Sequence, residues 1–243
     1  MRRTLTVDDR DQPCEDIIRQ PIGLRYRHER GDANMGKRSF GRFILDYSLE
    51  LFCALVILLT LARILFFPEL PLIQNLVNAF ALMAVLHEFE EKRTPGGFFD
   101  LTQNIGGVDK SKLDAGLASS FVMFYWVVLL ALPLIFPTVP WLFVILICLG
   151  IFEAVAHTGI IFAGHLGKFY SPGLVSAWLM CGLSIYCIFD VNAVGIMQWH
   201  DWAIGIALFL LSFVSLQRLT LVAAHMSYRE FLTNVRNHAL GRS

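Results

Sequence analysis

Charged residues are scarce in this sequence. Asp, Glu, Lys and Arg make up 16% of its 243 residues, and hydrophobic residues make up 56%. An ordinary soluble domain has about 25% charged and about 45–50% apolar residues. The 20 basic and 20 acidic residues also cancel, so the chain lacks an excess of either sign. This composition disfavours a disordered chain and a nucleic-acid-binding protein, which needs a basic surface.

The sequence also lacks the cysteine pattern of a disulfide framework or a thiolate zinc site. Its five cysteines form no Cys-x-x-Cys pair, and four of them lie in apolar runs, where a free cysteine behaves as a small hydrophobic residue. Residues 1–43 contain no apolar stretch of the kind that a secretory signal peptide needs. Whether Met35 is an alternative start is left open.

What the sequence does contain is a series of long apolar runs. A helix needs about 20 apolar residues to cross a bilayer, whereas a membrane β-barrel needs shorter segments of alternating polarity. The runs are continuous, and proline and charged residues separate them into six: 44–67, 70–86 (with a polar extension to 91), 117–136, 141–163, 173–189 and 202–224. The prediction is therefore an all-α, polytopic membrane bundle of about six transmembrane helices.

The basic residues predict the orientation of this bundle, because short cytoplasmic loops carry most of the Lys and Arg. Ten basic residues precede the first run, and eight more follow runs two, four and six. The connections 68–69, 137–140 and 190–201 hold none. We expect cytoplasmic N and C termini in a cell (inner) membrane, with a charged tail over 1–43, the bundle over 44–228 and a second tail over 229–243.

Ionisable residues inside the runs are the strongest functional signal, since a buried charge in a membrane pairs, faces the bundle interior or does chemistry. His87, Glu90 and Glu91 share one face of the second predicted helix, and Glu153 and His157 are one turn apart on the fourth. With the orientation above, Glu50, His157 and Arg218 each lie six residues inside the cytoplasmic end of a run, and His87 lies one turn above Glu91. Glu153 is nearer mid-membrane, and His225 continues the stripe of Arg218 two turns further along the sixth helix. The sequence thus predicts one pocket in the cytoplasmic half.

Two chemical interpretations of this pocket remain open. Two or more His with several carboxylates suit a divalent zinc or iron ion; without metal, a His–Glu pair can move protons, as in isomerases and cyclases. We assign His87, Glu91, Glu153, His157 and His225 as candidate metal ligands and Glu90, Glu91 and Glu153 as candidate catalytic groups. Arg218, whose planar guanidinium suits an anionic head group, and Glu50 are the candidate substrate-binding residues.

Known metalloenzyme motifs are absent. The residues after His87-Glu88 do not complete the His-Glu-x-x-His motif of zinc proteases. The Glu153–His157 spacing differs from the Glu-x-x-His of di-iron bundles, and the seven histidines form no HxxxH or HxxHH box of the membrane desaturases.

The string His87-Glu88-Phe89-Glu90-Glu91 resembles the signature of the HXXEE-domain family of small bacterial integral membrane proteins. Glu153-x-x-x-His157 and Tyr170-Ser171-Pro172-Gly173 are also similar to that family. The resemblance covers roughly residues 45–225 and carries over His87, Glu90 and Glu91. It supports the place of a site and implies no reaction.

The leading functional prediction is an integral-membrane enzyme, metal-dependent and acting on a lipid or isoprenoid-like amphiphile. A hydrolase or oxidase and a metal-free isomerase or cyclase are both compatible with the pocket. The alternatives are a proton or metal-ion transporter or channel, which would need polar groups continuing to the opposite face, and a structural membrane protein. The sequence leaves the substrate and the oligomeric state open.

Overall fold

The computed structural model describes residues 40–109, 111–163 and 169–242, and this part of the chain consists of helices and the turns that join them, with no strand. Its nine helices are α1 (Phe40–Asp46), α2 (Ser48–Phe66), α3 (Leu72–Lys92), α4 (Phe98–Gly106), α5 (Ala115–Ile135), α6 (Trp141–Ala163), α7 (Leu174–Ala193), α8 (Trp199–Ala223) and α9 (Tyr228–Ala239). The predicted all-α fold is confirmed. Most of the predicted N-terminal tail, Met35, Lys110 and Lys168 lie outside the described residues.

Six of these helices are long and apolar enough to cross a membrane: α2, α3, α5, α6, α7 and α8. The six predicted spans are therefore confirmed, with shifts at their ends. The first run is divided at Tyr47 into α1 and α2. Helix α8 begins at Trp199, three residues before the predicted Trp202, because Asp201 in its first turn accepts a hydrogen bond from the backbone N–H of Gln198 (2.9 Å).

Helices α3 and α6 form the centre of the bundle. In each, 44% of the spanning segment is buried by other helices, compared with 17% for α2 and for α8. The outer surfaces of α2 and α8 expose Leu58, Leu65, Leu211 and Val222, among others, which suits contact with lipid. Because lipid tails are as apolar as these side chains, close packing rather than escape from water holds such helices together.

Small residues allow this close packing. An added Cβ on Gly150 of α6 would collide with Ser184 of α7, and one on Gly205 of α8 would collide with Val144 of α6. Large apolar side chains fill the remaining interior and are less than 2% exposed, including Phe80, Phe143, Leu146, Ile147 and Met180. The middle of the bundle is thus tightly packed and apolar.

The spanning helices bring a set of polar residues to one end of the bundle, which we call the site end. It contains the N termini of α2, α5 and α7 and the C termini of α3, α6 and α8. Contacts across this end include the Glu50–Arg93 ion pair, the Ser48–Ser119 hydroxyl pair (3.3 Å) and the hydrogen bond from Asp114 N to Ala223 O (3.1 Å). Helix α1 and the C-terminal segment both pack on the bundle at this end.

Two features outside the spans organise the site end. Asp114 caps α5 by accepting a hydrogen bond from Leu117 N (3.0 Å), and this bond, assisted by the nearby Arg42, lowers the pKa of Asp114. Most of the segment predicted as a C-terminal tail forms α9, which packs on α4. Asn234 of α9 donates to the Gly106 carbonyl (3.0 Å), so α4 is held between α3 and α9.

Candidate metal centre

Two histidines and two glutamates converge where α3 meets α6 at the site end. His87 and Glu91 are one turn apart on α3, and Glu153 and His157 are one turn apart on α6. Since residues four apart lie on the same helix face, each helix presents one imidazole and one carboxylate to the other. One nitrogen or oxygen atom from each of the four lies within 4.8 Å of the others. We call this group the His–Glu cluster.

The distances inside the cluster match those between the ligands of a single metal ion. His157 Nε2 lies 2.9 Å from Glu91 Oε1 and 3.8 Å from Glu153 Oε2. His87 Nε2 lies 3.4 Å from Glu91 Oε1 and 3.7 Å from Glu153 Oε2. Around a tetrahedral zinc ion with bonds of about 2.1 Å, neighbouring ligand atoms are roughly 3.4 Å apart. The observed distances lie on both sides of that value.

The imidazole nitrogens that face the cluster have no hydrogen-bond partner. His87 and His157 are 1% and 0% exposed, and the Nε2 atom of each is buried without a hydrogen bond of acceptable geometry. The 2.9 Å contact from His157 Nε2 to Glu91 Oε1 is thus at ion-pair distance, with the N–H direction away from the line that joins the two atoms. Nitrogen and oxygen ligands of one metal ion have this arrangement, because each atom points at the ion rather than at the other ligand. Buried nitrogens without such an ion usually have a hydrogen-bond partner.

Ser176 determines which nitrogen of His87 carries the proton. The Ser176 hydroxyl has a single proton. The carboxylate of Glu90, 2.5 Å away, and the carbonyl of Gly173, 3.2 Å away, can only accept a hydrogen bond from it. The serine oxygen must therefore accept the hydrogen bond that joins it to His87 Nδ1, 3.1 Å away. His87 consequently donates an Nδ1 proton to Ser176, and in the neutral ring the lone pair is then on Nε2, facing the cluster.

Ser171 does the same for His157. The Ser171 hydroxyl donates to the backbone carbonyl of His157 (3.2 Å) and lies 3.3 Å from His157 Nδ1. The ring therefore donates its Nδ1 proton to the serine, and in the neutral ring the lone pair is on Nε2. Metal-binding histidines usually have their outer nitrogen held in this way by a second group, which orients the ring.

In the form that would bind a metal, both histidines are neutral, and the cluster then carries two negative charges inside a membrane bundle. The nearby cations form ion pairs with other carboxylates: Lys92 pairs with Glu88 (2.9 Å) and Arg93 pairs with Glu50. In the part of the chain that the structure describes, no Lys or Arg pairs with Glu91 or Glu153. Isolated buried charges are costly, and a divalent cation at the centre of the cluster would neutralise both carboxylates.

Gly173 shapes the cluster from the side of α7. Its φ of +90° is a conformation that residues with a side chain rarely adopt. An added Cβ would lie 2.5 Å from His157 Cε1 and 2.8 Å from Glu91 Cγ. On the other side of His157, the ring of Phe98 from α4 stacks at 4.3 Å between centroids. The cluster is thus enclosed by close-packed neighbours.

Glu90 points away from the cluster and binds the start of α7. Its carboxylate accepts hydrogen bonds from Ser176 N (2.8 Å), Val175 N (3.3 Å) and Tyr170 Oη (2.8 Å), besides the one from the Ser176 hydroxyl. A carboxylate is favoured at a helix N terminus, where N–H groups are free. Burial and this carboxylate raise the pKa of Tyr170, so its phenol stays protonated and keeps donating.

Comparison with protein families gives one match, over residues 78–188, to a family described as "Protein of unknown function with HXXEE motif". The chain carries an HXXEE domain. All four residues of the His–Glu cluster lie within the matched range, as do Ser171, Gly173 and Ser176. Comparisons with curated proteins and with solved structures gave no match.

The structure gives each letter of the HXXEE motif a separate place. His87 and the second glutamate, Glu91, face the cluster, whereas the first glutamate, Glu90, holds the Ser176 hydroxyl that orients His87. Between them, Glu88 faces α5, where it accepts a hydrogen bond from Trp126 Nε1 (2.6 Å) and pairs with Lys92. The HXXEE domain therefore uses one helical turn to build the His–Glu cluster, to orient His87 and to pack against α5.

Three residues predicted for the same pocket lie outside it, and outside the match to the HXXEE family. His225 is exposed beyond the end of α8 and does not belong to the four-residue cluster. Arg218 lies over the ring of Tyr228 at 5.8 Å. Glu50 pairs with Arg93 at the edge of the site end. Similar depth in the membrane did not bring these side chains to the cluster.

Sequence analysis did not single out the two serines that orient the histidines of the HXXEE domain. Ser171 was noted only within the string 170–173, and Ser176 carried no signal, since serine is common in membrane helices. Both are at most 1% exposed. The sequence does hold one signal for Ser176: it is a polar residue in the first turn of the helix that begins after Pro172-Gly173. That helix start faces the HXXEE motif.

Loss of the Ser176 hydroxyl should weaken metal binding without removing a ligand. In Ser176→Ala the Nδ1 proton of His87 loses its acceptor, so the ring orientation is no longer held. We expect a 10–100-fold drop in zinc affinity, the usual effect of changing such an outer group, measured by competition with a chromophoric chelator. Ser184→Ala, at a buried serine of the same helix that bonds only to the Met180 carbonyl, is the control and should leave affinity unchanged.

Proposed function

We propose that this protein is an integral-membrane enzyme that holds one zinc or iron(II) ion in the His–Glu cluster and acts on an amphiphile taken from the bilayer. The observation that carries the proposal is the pair of buried, unpartnered Nε2 atoms of His87 and His157, which face two carboxylates inside the bundle. This arrangement supports a metal site, because the outer nitrogens of both histidines are already held by serines.

Within the cluster, the two glutamates differ. Glu91 Oε1 lies 2.9 and 3.4 Å from the two imidazole nitrogens, whereas Glu153 Oε2 lies 3.8 and 3.7 Å from them. The Glu153 side chain is also more exposed, at 18% against 11%. We assign His87, His157 and Glu91 as ligands, the His₂Glu set of several catalytic zinc sites. Glu153 is then free to act as a general base.

A divalent ion on these ligands would polarise a carbonyl or phosphoryl oxygen of the substrate and lower the pKa of a bound water. The protein's own part is to orient the imidazoles through Ser171 and Ser176 and to position Glu153 near the reacting atoms. Phe98 and the packing around Gly173 restrict access of bulk water to the cluster. These features support hydrolytic or redox chemistry and do not decide between them.

Transport of a proton or metal ion is the weaker alternative. A path across the membrane would need polar groups beyond the cluster, toward the opposite end of the bundle. In the described residues that region is filled by Phe80, Phe143, Leu146 and Met180, all less than 2% exposed. The cluster therefore resembles a closed pocket reached from one end. With the basic residues of the sequence on this side, we place the site end at the cytoplasmic face of a cell membrane.

The first experiment measures metal in the full-length protein purified in detergent without a metal-affinity column. We expect close to one equivalent of zinc or iron per chain by mass spectrometry of the element. Removal by a chelator should lower the melting temperature, and readdition should restore it, because a ligand that binds only the folded state stabilises it. Protein that contains no transition metal and does not bind added zinc or iron(II) would contradict the proposal.

The second experiment tests the enzymatic part. Wild-type protein and Glu153→Gln are reconstituted with a total membrane lipid extract, and lipid composition is followed by mass spectrometry with and without chelator. We expect a metal-dependent change that Glu153→Gln abolishes and Glu230→Gln, at an exposed position of α9, retains. Metal flux into proteoliposomes with no lipid change would favour transport instead.

A further inference from the structure

A groove of about 270 Å³ lies on the outside of the bundle, beside the His–Glu cluster. It is formed by the last turns of α3, the segment that follows them and the start of α7. Its lining includes Leu86, Phe89, Pro95 and Val175, which are apolar, and the polar side chains of Glu90 and Tyr170. The groove does not belong to the metal-ligand set described above.

The groove opens toward the membrane rather than toward the bundle interior. Leu86, Phe89 and Val175 are 44%, 47% and 57% exposed, and all three belong to spanning helices. Exposed apolar side chains on such helices face lipid tails. A molecule that enters this groove would therefore arrive from the bilayer with its apolar part already surrounded by hydrocarbon.

The floor of the groove is one residue away from the metal centre. Ser176 lines the groove, and its hydroxyl also contacts His87 Nδ1 at 3.1 Å. His87 in turn presents its Nε2 to the cluster. A polar head group that rests against Ser176 and Glu90 would lie beside the histidine that we assign as a ligand. This position suits the binding part of a substrate site.

The charges in the groove select against an acidic head group. Glu90 is the one charged side chain among the lining residues, and Arg93, which follows nearby in the chain, pairs with Glu50. A carboxylate or phosphate placed here would meet another carboxylate with no cation to compensate, which is unfavourable at low dielectric.

The same groove does not require a cationic head group either. The Glu90 carboxylate already accepts four hydrogen bonds, from Ser176 N, the Ser176 hydroxyl, Val175 N and Tyr170. Its charge is thus compensated by the N terminus of α7. The Tyr170 oxygen, having donated its proton to Glu90, still has lone pairs that can accept a hydrogen bond. The complementary ligand group is a neutral hydroxyl donor.

We infer that this groove binds the uncharged hydroxyl head of a long-chain alcohol, and that such alcohols are the substrate class of the neighbouring centre. The second half of this statement rests on the proposed function. Pockets for whole drug-sized molecules measure about 300–1,000 Å³, so the present volume suits a head group with its first few carbons. The rest of the chain would stay in the bilayer.

Photo-crosslinking with matched probes tests the inference. Hexadecanol, palmitic acid and hexadecylamine, each with a diazirine at the same chain carbon, are added separately to the full-length protein in neutral-lipid nanodiscs. We expect the alcohol to label peptides containing residues 86–95 or 170–176 at least about tenfold more than the acid, a difference of about 1.4 kcal/mol, and more than the amine. Equal labelling by all three probes, or preference for the acid or the amine, would overturn it.

Variants that fill the groove with a tryptophan side chain test whether the alcohol binds there. Val175→Trp should abolish alcohol labelling of these peptides, whereas Val222→Trp, the same change at an exposed position of α8, should not. Leu86→Trp fills the groove from α3 and serves if Val175→Trp does not fold. Labelling that persists in the folded groove variants contradicts the inference. Metal content is measured in the same samples: selective labelling of protein that binds no metal would overturn the proposed function and leave the hydroxyl site standing.

Discussion

Replacement of His157 by alanine is expected to lower the zinc affinity of the purified protein by more than about 100-fold. Changes to groups that only orient a ligand already cost about 10–100-fold, and His157 supplies an Nε2 atom that has no other partner. Competition with a chromophoric chelator in detergent measures the affinity directly.

His225→Ala is the matched control, because both histidines were assigned to the same pocket from the sequence. His225 is exposed and lies outside the cluster, so its loss should leave zinc affinity within the error of the titration. If His157→Ala is too unstable to purify, His87→Ala removes the equivalent nitrogen from α3 and should give the same loss. Equal effects of His157→Ala and His225→Ala would refute the assignment of the cluster as the metal site.

The number and type of spanning helices could be predicted because the signal for them is local. An uninterrupted apolar run of about 20 residues has few conformations open to it in a bilayer other than a helix, because the backbone must satisfy its own hydrogen bonds there. The shifts at the ends came from capping. Asp201 extends α8 toward Gln198, and Tyr47 divides the first run, and neither feature changes the hydropathy of the run.

The core of the candidate site could also be predicted, because each half of it lies on one helix. His87 with Glu91 and Glu153 with His157 are i, i+4 pairs, so a single helix geometry places each imidazole beside its carboxylate. That the two pairs face each other was expected from their similar depth. The structure brings together these four residues of the predicted set.

Depth alone could not decide which other residues join them. Arg218 was predicted at the same level of the membrane as His157, and His225 on the same stripe as Arg218, but the direction of a side chain around its helix axis depends on tertiary packing. Near the end of α8 that packing places Arg218 over Tyr228. Likewise, Ser176 and Glu90 are 86 positions apart in the chain, and no local sequence pattern predicts a contact between such distant residues.

The two glutamates of the motif show why a carboxylate cannot be assigned a role from its type. Glu90 and Glu91 are adjacent in sequence and therefore point in directions about 100° apart around α3. Glu91 faces two unpartnered imidazole nitrogens, whereas Glu90 receives hydrogen bonds from the first turn of α7. The predicted catalytic role for Glu90 is replaced in our proposal by a positioning role, exerted through Ser176 on His87.

Gly173→Ala is expected to disrupt the His–Glu cluster although it changes none of its four residues. The added methyl carbon would lie 2.5 Å from His157 Cε1 and 2.8 Å from Glu91 Cγ, which is closer than non-bonded carbon atoms approach. Either the histidine and the glutamate move or the start of α7 does, and the latter carries Ser171 and Ser176. We expect a loss of zinc affinity at least as large as the 10–100-fold predicted for Ser176→Ala, together with a lower melting temperature.

Part of this effect would come from backbone strain alone, and Gly97→Ala isolates that part. Gly97 also caps a helix and has a φ of +95°, close to the +90° of Gly173, but an added Cβ there meets nothing within 4 Å. Each variant should lose about 1–2 kcal/mol of stability through the left-handed conformation, whereas only Gly173→Ala should lose zinc affinity. If both variants lower stability equally and both bind zinc as the wild type does, the cluster is loose enough to accept a methyl group, and the enclosed metal site described above would be wrong.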